Sequence, residues 1–400
     1  MRTPLAVYNL WHQQAKTLVS IFGVAFALSL VFMQLGFMGA VSQTATNVLD
    51  HVRFDVLIRA RDYLHLYEPS YIDRKWLDVA ASTPGVQEVM PLWITIHNWR
   101  KLPTEVQRND SSFKSQYLPI AMMAFNTNQR VFELPEVIEQ QSLIDSGRML
   151  LLDRATQRDY GPVDGIKFAE ADVGRKPEVG GKEFTIGGLF SLGTGLAANG
   201  AAITGEQGFA RIIPWNVSEK VSLGLVNLDE DSNLQSVLWS LQERLRAEQG
   251  GAVAVDVLSR DEVLELEIRR WLWHTPIGLI FQLGVVLSLF VGAAIVYMVL
   301  STDVTNRLPE YATLLAMGYS RTYLASIVMT QALLLSWGGF FVAWGVAEGL
   351  YRVTSYASGI PISMNMERVV IVSLLGVSMC CFSGLLALRK LWKAEPASLF

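Results

Sequence analysis

The chain has 400 residues, 51% of them hydrophobic and only 18% charged, with a formal net charge of −4. Ordinary soluble domains carry roughly 25% charged residues, so the balance is that of a membrane protein with a soluble part, and the mild acidity argues against a nucleic-acid partner. The two cysteines, Cys380 and Cys381, are adjacent in an apolar stretch; helical neighbours diverge by about 100° and do not readily bridge, so they read as small buried hydrophobes and leave the redox compartment open.

Residues 1–16 place Leu5, Tyr8 and Trp11 at helical spacing, with Asn9, His12, Gln13 and Lys16 elsewhere. They read either as an amphipathic helix on the inner leaflet or as an extension of the first span. No Asp, Glu, Lys or Arg occurs between Lys16 and Asp50. About 20 mostly apolar residues carry a helix across a bilayer, where the backbone must satisfy its own hydrogen bonds. The stretch exceeds the apolar region of a signal peptide and lacks a small-x-small cleavage site. It is therefore assigned as the first transmembrane helix, 17–41.

Residues 42–275 form a soluble domain. Val52, Phe54, Val56 and Ile58 alternate with Arg53, Asp55 and Arg59, the period of a half-buried strand. Strands are also predicted at 86–97, 118–125 and 184–190. A β-α-β unit follows: a strand at 221–228, a helix carrying Leu234, Val237, Leu238, Leu241 and Leu245, and a strand at 252–258. Ser259 and Glu262 form a capping box opening a helix that leads toward the second span. If it ran unbroken through Trp271 toward Ile277, with a kink at Pro276, it would transmit motion of that span outward. Glycines crowd 187–208, as turns of an inserted subdomain or as backbone packed closely against a partner. The domain thus divides into porter-like segments, 50–130 and 215–262, around an inserted subdomain at 131–214.

Three more uncharged stretches follow, Arg270 to Asp303, Arg321 to Glu348 and Arg368 to Arg389. They give transmembrane helices at 276–301, 326–351 and 369–389, a loop at 302–325, a short loop at 352–368 and a tail at 390–400. Positive charges gather at Arg2 and Lys16, at Arg307 and Arg321, and at Arg389, Lys390 and Lys393. By the positive-inside rule both termini and the 302–325 loop are cytoplasmic and the large domain lies outside. Trp271, Trp273, Tyr351 and Tyr356 fit outer-interface anchors, and Trp392 an inner one. The expected fold is therefore a membrane protein of four transmembrane helices in a 1+3 arrangement, with a large α+β periplasmic domain between helices one and two.

The chemistry of an enzyme is missing from the pattern. There is no GxxxxGK[ST], GxSxG or HExxH, and the five histidines show no metal-type spacing. Glu265 and Glu267 read as the solvated face of an amphipathic helix. Within the spans the one ionisable candidate is Glu348, four residues before Arg352, the favourable order for a helical ion pair. So few polar groups do not line a hydrophilic path. Gly284, Ser288 and Gly292, and Gly345 with Gly349, have the small-residue spacing of close helix contact, including contact between two copies.

The segment TDVTNRLPEYATLLAMGYSRTYL at 302–324 resembles the cytoplasmic coupling segment of ABC-transporter permeases of the FtsX/MacB type. With PLAVYNLWHQQAKTLVSIFGVAFALSLVFMQLGF at the start, FSLGTGLAANGAAIT, TPIGLIFQLGV and the terminal RKLWKAEPASLF, the chain is similar to the DevC permeases of cyanobacterial-type exporters. The resemblance implies a non-catalytic inner-membrane subunit, homodimeric, that binds no cofactor itself. ATP and Mg would be bound by a separate cytoplasmic ATPase, and a periplasmic membrane-fusion adaptor and a TolC-like outer-membrane tunnel would complete the pump. It implies export of a glycolipid or other periplasmic cargo by mechanotransmission. The coupling helix would run from Pro309 to Met317, stopping at Gly318, with Arg307, Pro309, Glu310, Tyr311, Leu314, Leu315, Met317 and Gly318 as ATPase-coupling residues; Leu314 and Met317 make an apolar i, i+3 stripe. Alternatives within the superfamily are an FtsX-like regulator of cell-wall hydrolases and a LolC-like permease for lipoprotein release.

Overall fold

The computed structural model describes residues 14–105, 116–193, 195–248, 254–358 and 360–393. The amphipathic reading of 1–13 and the side chain of Trp392 lie outside the described residues. The chain divides into two compact units, Val41–Trp273 and the remainder, which comprises the chain up to Ala40 and from His274 onward.

The Val41–Trp273 unit is built on strands β1 (Val56–Ala60), β2 (Ile72–Asp73), β3 (Val86–Arg100), β4 (Tyr117–Phe125), β5 (Met149–Asp153), β6 (Glu178–Val179), β7 (Lys182–Glu183), β8 (Thr185–Phe190), β9 (Ala201–Gly205), β10 (Lys220–Val221), β11 (Leu223–Leu228) and β12 (Val255–Ser259). Ten form one sheet, ordered β12-β1-β11-β3-β4-β9-β5-β8 with β6 and β7 attached at β3. β4 with β9 and β5 with β8 run parallel, and the other ladders are antiparallel. Its helices are the end of α1 (Gln14–Asp50), α2 (Lys75–Ala81), α3 (Pro135–Gln140), α4 (Glu206–Ala210), α5 (Leu234–Glu248) and α6 (Arg260–Trp273).

Each face of the sheet covers a core. Val56, Ile58, Trp93 and Trp99 pack with Trp76 and Leu77 of α2 and Val237, Leu241 and Leu245 of α5. Leu57, Leu92, Met123 and Leu225 pack on the other side with Val48 and Leu49 of α1 and Val263 of α6. β1 is therefore buried on both faces, not one, and it begins at Val56; Val52 makes only an isolated bridge to Phe132. The expected alternation fails because helices cover both sides. The β11-α5-β12 unit is split: β1 inserts between the two strands, antiparallel to each.

The 131–214 segment is not set apart from its flanks. β9 pairs with β4 from Ala121↔Ala201 to Phe125↔Gly205, and β5 and β8 continue the same sheet. Its glycines serve internal close approaches: a Cβ on Gly205 would sit 2.7 Å from the Ile144 carbonyl oxygen, and one on Gly200 2.8 Å from the Thr156 methyl.

The capping box forms as the sequence predicts, with the Ser259 N–H donating to Glu262 Oε2 at 2.8 Å. Helix α6 nevertheless ends at Trp273. A separate helix, α7 (Pro276–Asn306), starts with Pro276 in its first turn and Thr275 as N-cap, whose Oγ1 accepts from Gly278 N. The helix is not continuous through Ile277, because Pro276 has no N–H to prolong α6 and is favoured at a helix start.

The other unit contains most of α1, with α7, α8 (Leu308–Ala316), α9 (Arg321–Ser358) and α10 (Met366–Lys393). Among the described residues, α1, α7, α9 and α10 are long and apolar enough to cross a membrane. They pack through Val24, Leu28 and Phe32 of α1, Val296 and Leu300 of α7, Leu335 and Ala343 of α9, and Val372 and Cys380 of α10. Tyr351, expected at the outer interface, is buried in this bundle with its hydroxyl donating to the Phe32 carbonyl, and Arg368 lies over its ring at 5.5 Å. Trp271 is likewise buried, in the Val41–Trp273 unit beside His65, whereas Trp273 and Tyr356 are exposed.

Candidate functional site: the α8 segment

Asp303, in the last turn of α7, and Glu310, in the first turn of α8, hold Arg307 between them. The Arg307 Nε donates to Asp303 Oδ1 at 3.0 Å and a terminal nitrogen lies 3.5 Å from Glu310. Pro309 occupies the first turn, where its missing N–H costs nothing. Gly318 ends the segment at φ +91°, its N–H bonding the Leu315 carbonyl while Tyr319 N–H bonds that of Leu314. That paired closure is a Schellman stop, which needs the left-handed region that glycine enters without strain.

The expected coupling residues split into two sets. Tyr311 is buried at 2% exposure among Val304, Leu324, Ile327, Val328 and Leu388, and Leu314 and Leu315 pack partly against the same cluster. Burial pushes the Tyr311 hydroxyl up to about 12. Arg307 is buried as well. Neither Tyr311 nor Arg307 is presented for docking as the resemblance implied; both fasten α8 to the helices flanking it. Pro309, Glu310 and Gly318 are exposed, and Met317 stands 63% exposed. Tyr319, half exposed and stacked on Tyr323 at 5.1 Å, extends this surface. It escaped the sequence reading, although Tyr319 and Tyr323 have i, i+4 spacing.

The small residues also divide. A Cβ on Gly284 would meet the Gln34 carboxamide at 2.5 Å, and one on Gly292 the Met379 sulfur at 2.5 Å and Ala27 Cβ at 2.7 Å. Ser288 is buried and its hydroxyl bonds the Gly284 carbonyl at 2.7 Å. Gly284 and Gly292 thus pack α7 against α1 and α10 of the same chain, and Ser288 is buried between them, so these positions are not open to a second copy. Gly345 and Gly349 face open space, with no atom within 4 Å of a Cβ added there. The Glu348–Arg352 ion pair forms at 2.9 Å on the α9 surface, with the Arg352 side chain 78% exposed.

One carboxylate departs from expectation. Glu265 is exposed and paired with Arg269, but Glu267 is only 1% exposed and accepts a hydrogen bond from Tyr63. Arg59 lies 4.5 Å over the Tyr63 ring. Burial lifts Glu267 to about 7, with the Tyr63 hydrogen bond, Arg59 and Arg270 opposing it. The signal was present: Val263, Glu267 and Trp271 share the buried face of α6 at four-residue spacing. Among the described residues, no group of three or more His, Cys, Asp or Glu is placed to hold a metal ion.

Residues 283–396, which span α7 to α10, match the family described as FtsX-like permease C-terminal. The periplasmic region of MacB from Actinobacillus actinomycetemcomitans superposes with a TM-score of 0.35 at 12% identity, covering 55% of this chain and 95% of that one. The extracellular domain of YknZ, a noncanonic ABC-type transporter from Gram-positive bacteria, superposes at 0.34 and 12%, covering 52% and 99%. At these scores neither superposition bears on function. No curated protein sequence matches the chain. The four apolar helices and the permease match define a multi-pass membrane protein with an FtsX-like permease segment.

Proposed function

We propose that this chain is the permease subunit of an ABC export system, driven by a separate ATPase that binds ATP and Mg. The observation that carries this reading is α8. It is a short helix inside the FtsX-like segment, exposing Pro309, Glu310, Met317 and Tyr319 while Arg307 and Tyr311 fasten it to α7, α9 and α10. A load applied to the exposed side reaches α7 through a buried ion pair rather than through a flexible loop. With α8 in the cytoplasm, as the positive-inside pattern favours, the Val41–Trp273 unit is periplasmic and the protein acts by mechanotransmission. In this reading it works as a homodimer in the inner membrane, with a periplasmic adaptor and an outer-membrane tunnel. The cargo is lipid-like, a glycolipid by resemblance to the DevC branch.

Met317→Asp tests the coupling surface, because the side chain is exposed and its loss leaves the α8 core intact. Leu314→Asp is a poorer probe, since Leu314 packs in that core. Co-expressed with its ATPase, the Met317→Asp permease is expected to lose at least tenfold of permease-stimulated ATP hydrolysis with an unchanged unfolding midpoint. Undiminished stimulation would remove α8 as the motor contact. Capture of an adaptor and tunnel protein separates export from hydrolase regulation and lipoprotein release.

A further inference from the structure

Among the described residues, eight buried polar side-chain atoms have no hydrogen-bond partner, and three of them are Arg59 Nε, Glu267 Oε2 and Arg270 Nε. These three belong together, because Arg59 and Arg270 both act on the Glu267 carboxylate. Buried polar atoms are nearly always satisfied, so this concentration marks an arrangement with a second way to pair. Arg59 stands between two carboxylates in opposite settings. Its guanidinium lies 4.5 Å over the Tyr63 ring, and Tyr63 donates to Glu267. A terminal nitrogen of the same guanidinium is 3.9 Å from Asp256 Oδ2. Both Arg59 and Asp256 line an open groove of about 450 Å³ beside α5.

The two carboxylates compete unequally for that cation. The Asp256 side chain is 35% exposed, so water screens its long contact with Arg59 and the pair contributes little. An ionised carboxylate as buried as Glu267 is costly without a partner of opposite charge. While Glu267 is neutral, Arg59 rests on Asp256 with its Nε unpaired, which is the arrangement found. Once Glu267 ionises, its unpaired Oε2 and the unpaired Arg59 Nε–H are the acceptor and donor that satisfy each other.

We propose that Glu267 is a proton-operated switch: loss of its proton draws Arg59 off Asp256 and onto Glu267, leaving Asp256 unpaired in the groove. The groups around Glu267 set the range in which it works. Burial lifts Glu267 itself to about 7. Burial and the neighbouring Glu267 hold Tyr63 well above its ordinary 10, so its hydroxyl stays a donor throughout. Burial raises Tyr67 as well, with Glu267 and Asp153 adding to it. The Asp153 carboxylate is held by three backbone N–H groups, those of Ala155, Leu192 and Gly193. His65, 3.8 Å from Glu68, is lowered by burial, so its charge is gone before Glu267 ionises. From α6 itself Arg270 faces Glu267, and α1 contributes the apolar Val48 and Leu49 to the same core. The switch lies within the Val41–Trp273 unit and needs no ATPase, cargo or second copy, so it stands or falls separately from the transport reading.

The test is carboxylate labelling. The full-length protein in detergent is treated with a carbodiimide and glycine ethyl ester at pH 6 and at pH 8. Modification of Asp256 is read by peptide mass spectrometry against the exposed Glu230 of the same sample. In the wild type this ratio is expected to rise at least threefold between the two pH values. Glu267→Gln should hold it at the pH 6 level, Arg59→Gln should hold it high at both, and His65→Gln should leave the rise intact. The wild-type comparison needs no substitution, so a variant that misfolds does not rescue the idea. A flat wild-type ratio would overturn the proposal, as would a rise that persists in folded Glu267→Gln or Arg59→Gln protein. Loss of the rise in folded His65→Gln protein would move the switch to the histidine and overturn it equally.

Discussion

Glu267 shows how a single side chain couples the Val41–Trp273 unit to pH. Its folded value of about 7 lies above the ordinary 4.5, so the native state holds the proton more tightly than the unfolded chain. The resulting stability is complete below the ordinary value and is lost as pH rises through about 7. A shift of this size corresponds to roughly 3 kcal/mol at most. Amide hydrogen exchange across α6 in the full-length protein should therefore quicken between pH 5 and 8, after correction for intrinsic exchange, and Glu267→Gln should flatten that dependence. An equal dependence in the variant would move its cause elsewhere. A different buried pair holds the 160–175 region. Asp172 is 1% exposed, accepts from Val163 N and Ala169 N, and pairs with Arg175 at 2.8 Å. Arg175 also donates to the carbonyls of Gly161 and Pro103. Asp172→Ala would leave the buried guanidinium with its two carbonyls but no counter-charge, a loss of up to about 3–5 kcal/mol, read as a lowered midpoint in thermal unfolding.

Among the elements, α7 is held by contacts that leave no room. Gly292 touches both Ala27 and Met379, so Gly292→Leu forces α1 or α10 away and should cost about 1–3 kcal/mol or more by overpacking. The expected result is a lower unfolding midpoint in detergent, with an unchanged midpoint contradicting the packing described. At α8 the stop at Gly318 needs positive φ, so Gly318→Val should fray the α8 end and weaken ATPase stimulation without touching the buried Tyr311 cluster. The outer edge of the sheet is defended rather than inviting: on β12, the Val257 carbonyl already accepts from Gln242 at 3.0 Å and Ser259 N–H is taken by Glu262. An edge blunted in this way offers few free groups for strand addition.

For the whole molecule, the transport reading turns on α8 and the Val41–Trp273 unit facing opposite sides of the membrane. A single cysteine at Tyr319, in a Cys380→Ala/Cys381→Ala background, should react with an impermeant thiol reagent only after the cell is opened, and one at exposed Trp239 without opening. Reaction of both from one side would end the coupling mechanism. Gly345 and Gly349 leave an open small-residue face on α9; under the homodimer proposed above, Gly345→Leu is expected to lower cross-linked dimer while leaving the single chain folded. Four spans, the capping box and the β11-α5-β12 unit were legible from the chain alone, because each rests on an uncharged run, on local periodicity or on residues three or four apart, whereas the α8 helix and its stop at Gly318 came from the family resemblance. The burial of Glu267, Arg307 and Tyr311, the insertion of β1 between β11 and β12, and the division of the glycines into packed and open sets were decided by tertiary structure. Each of these depends on which distant segment covers a given face, and spacing along a chain records a face without naming its cover.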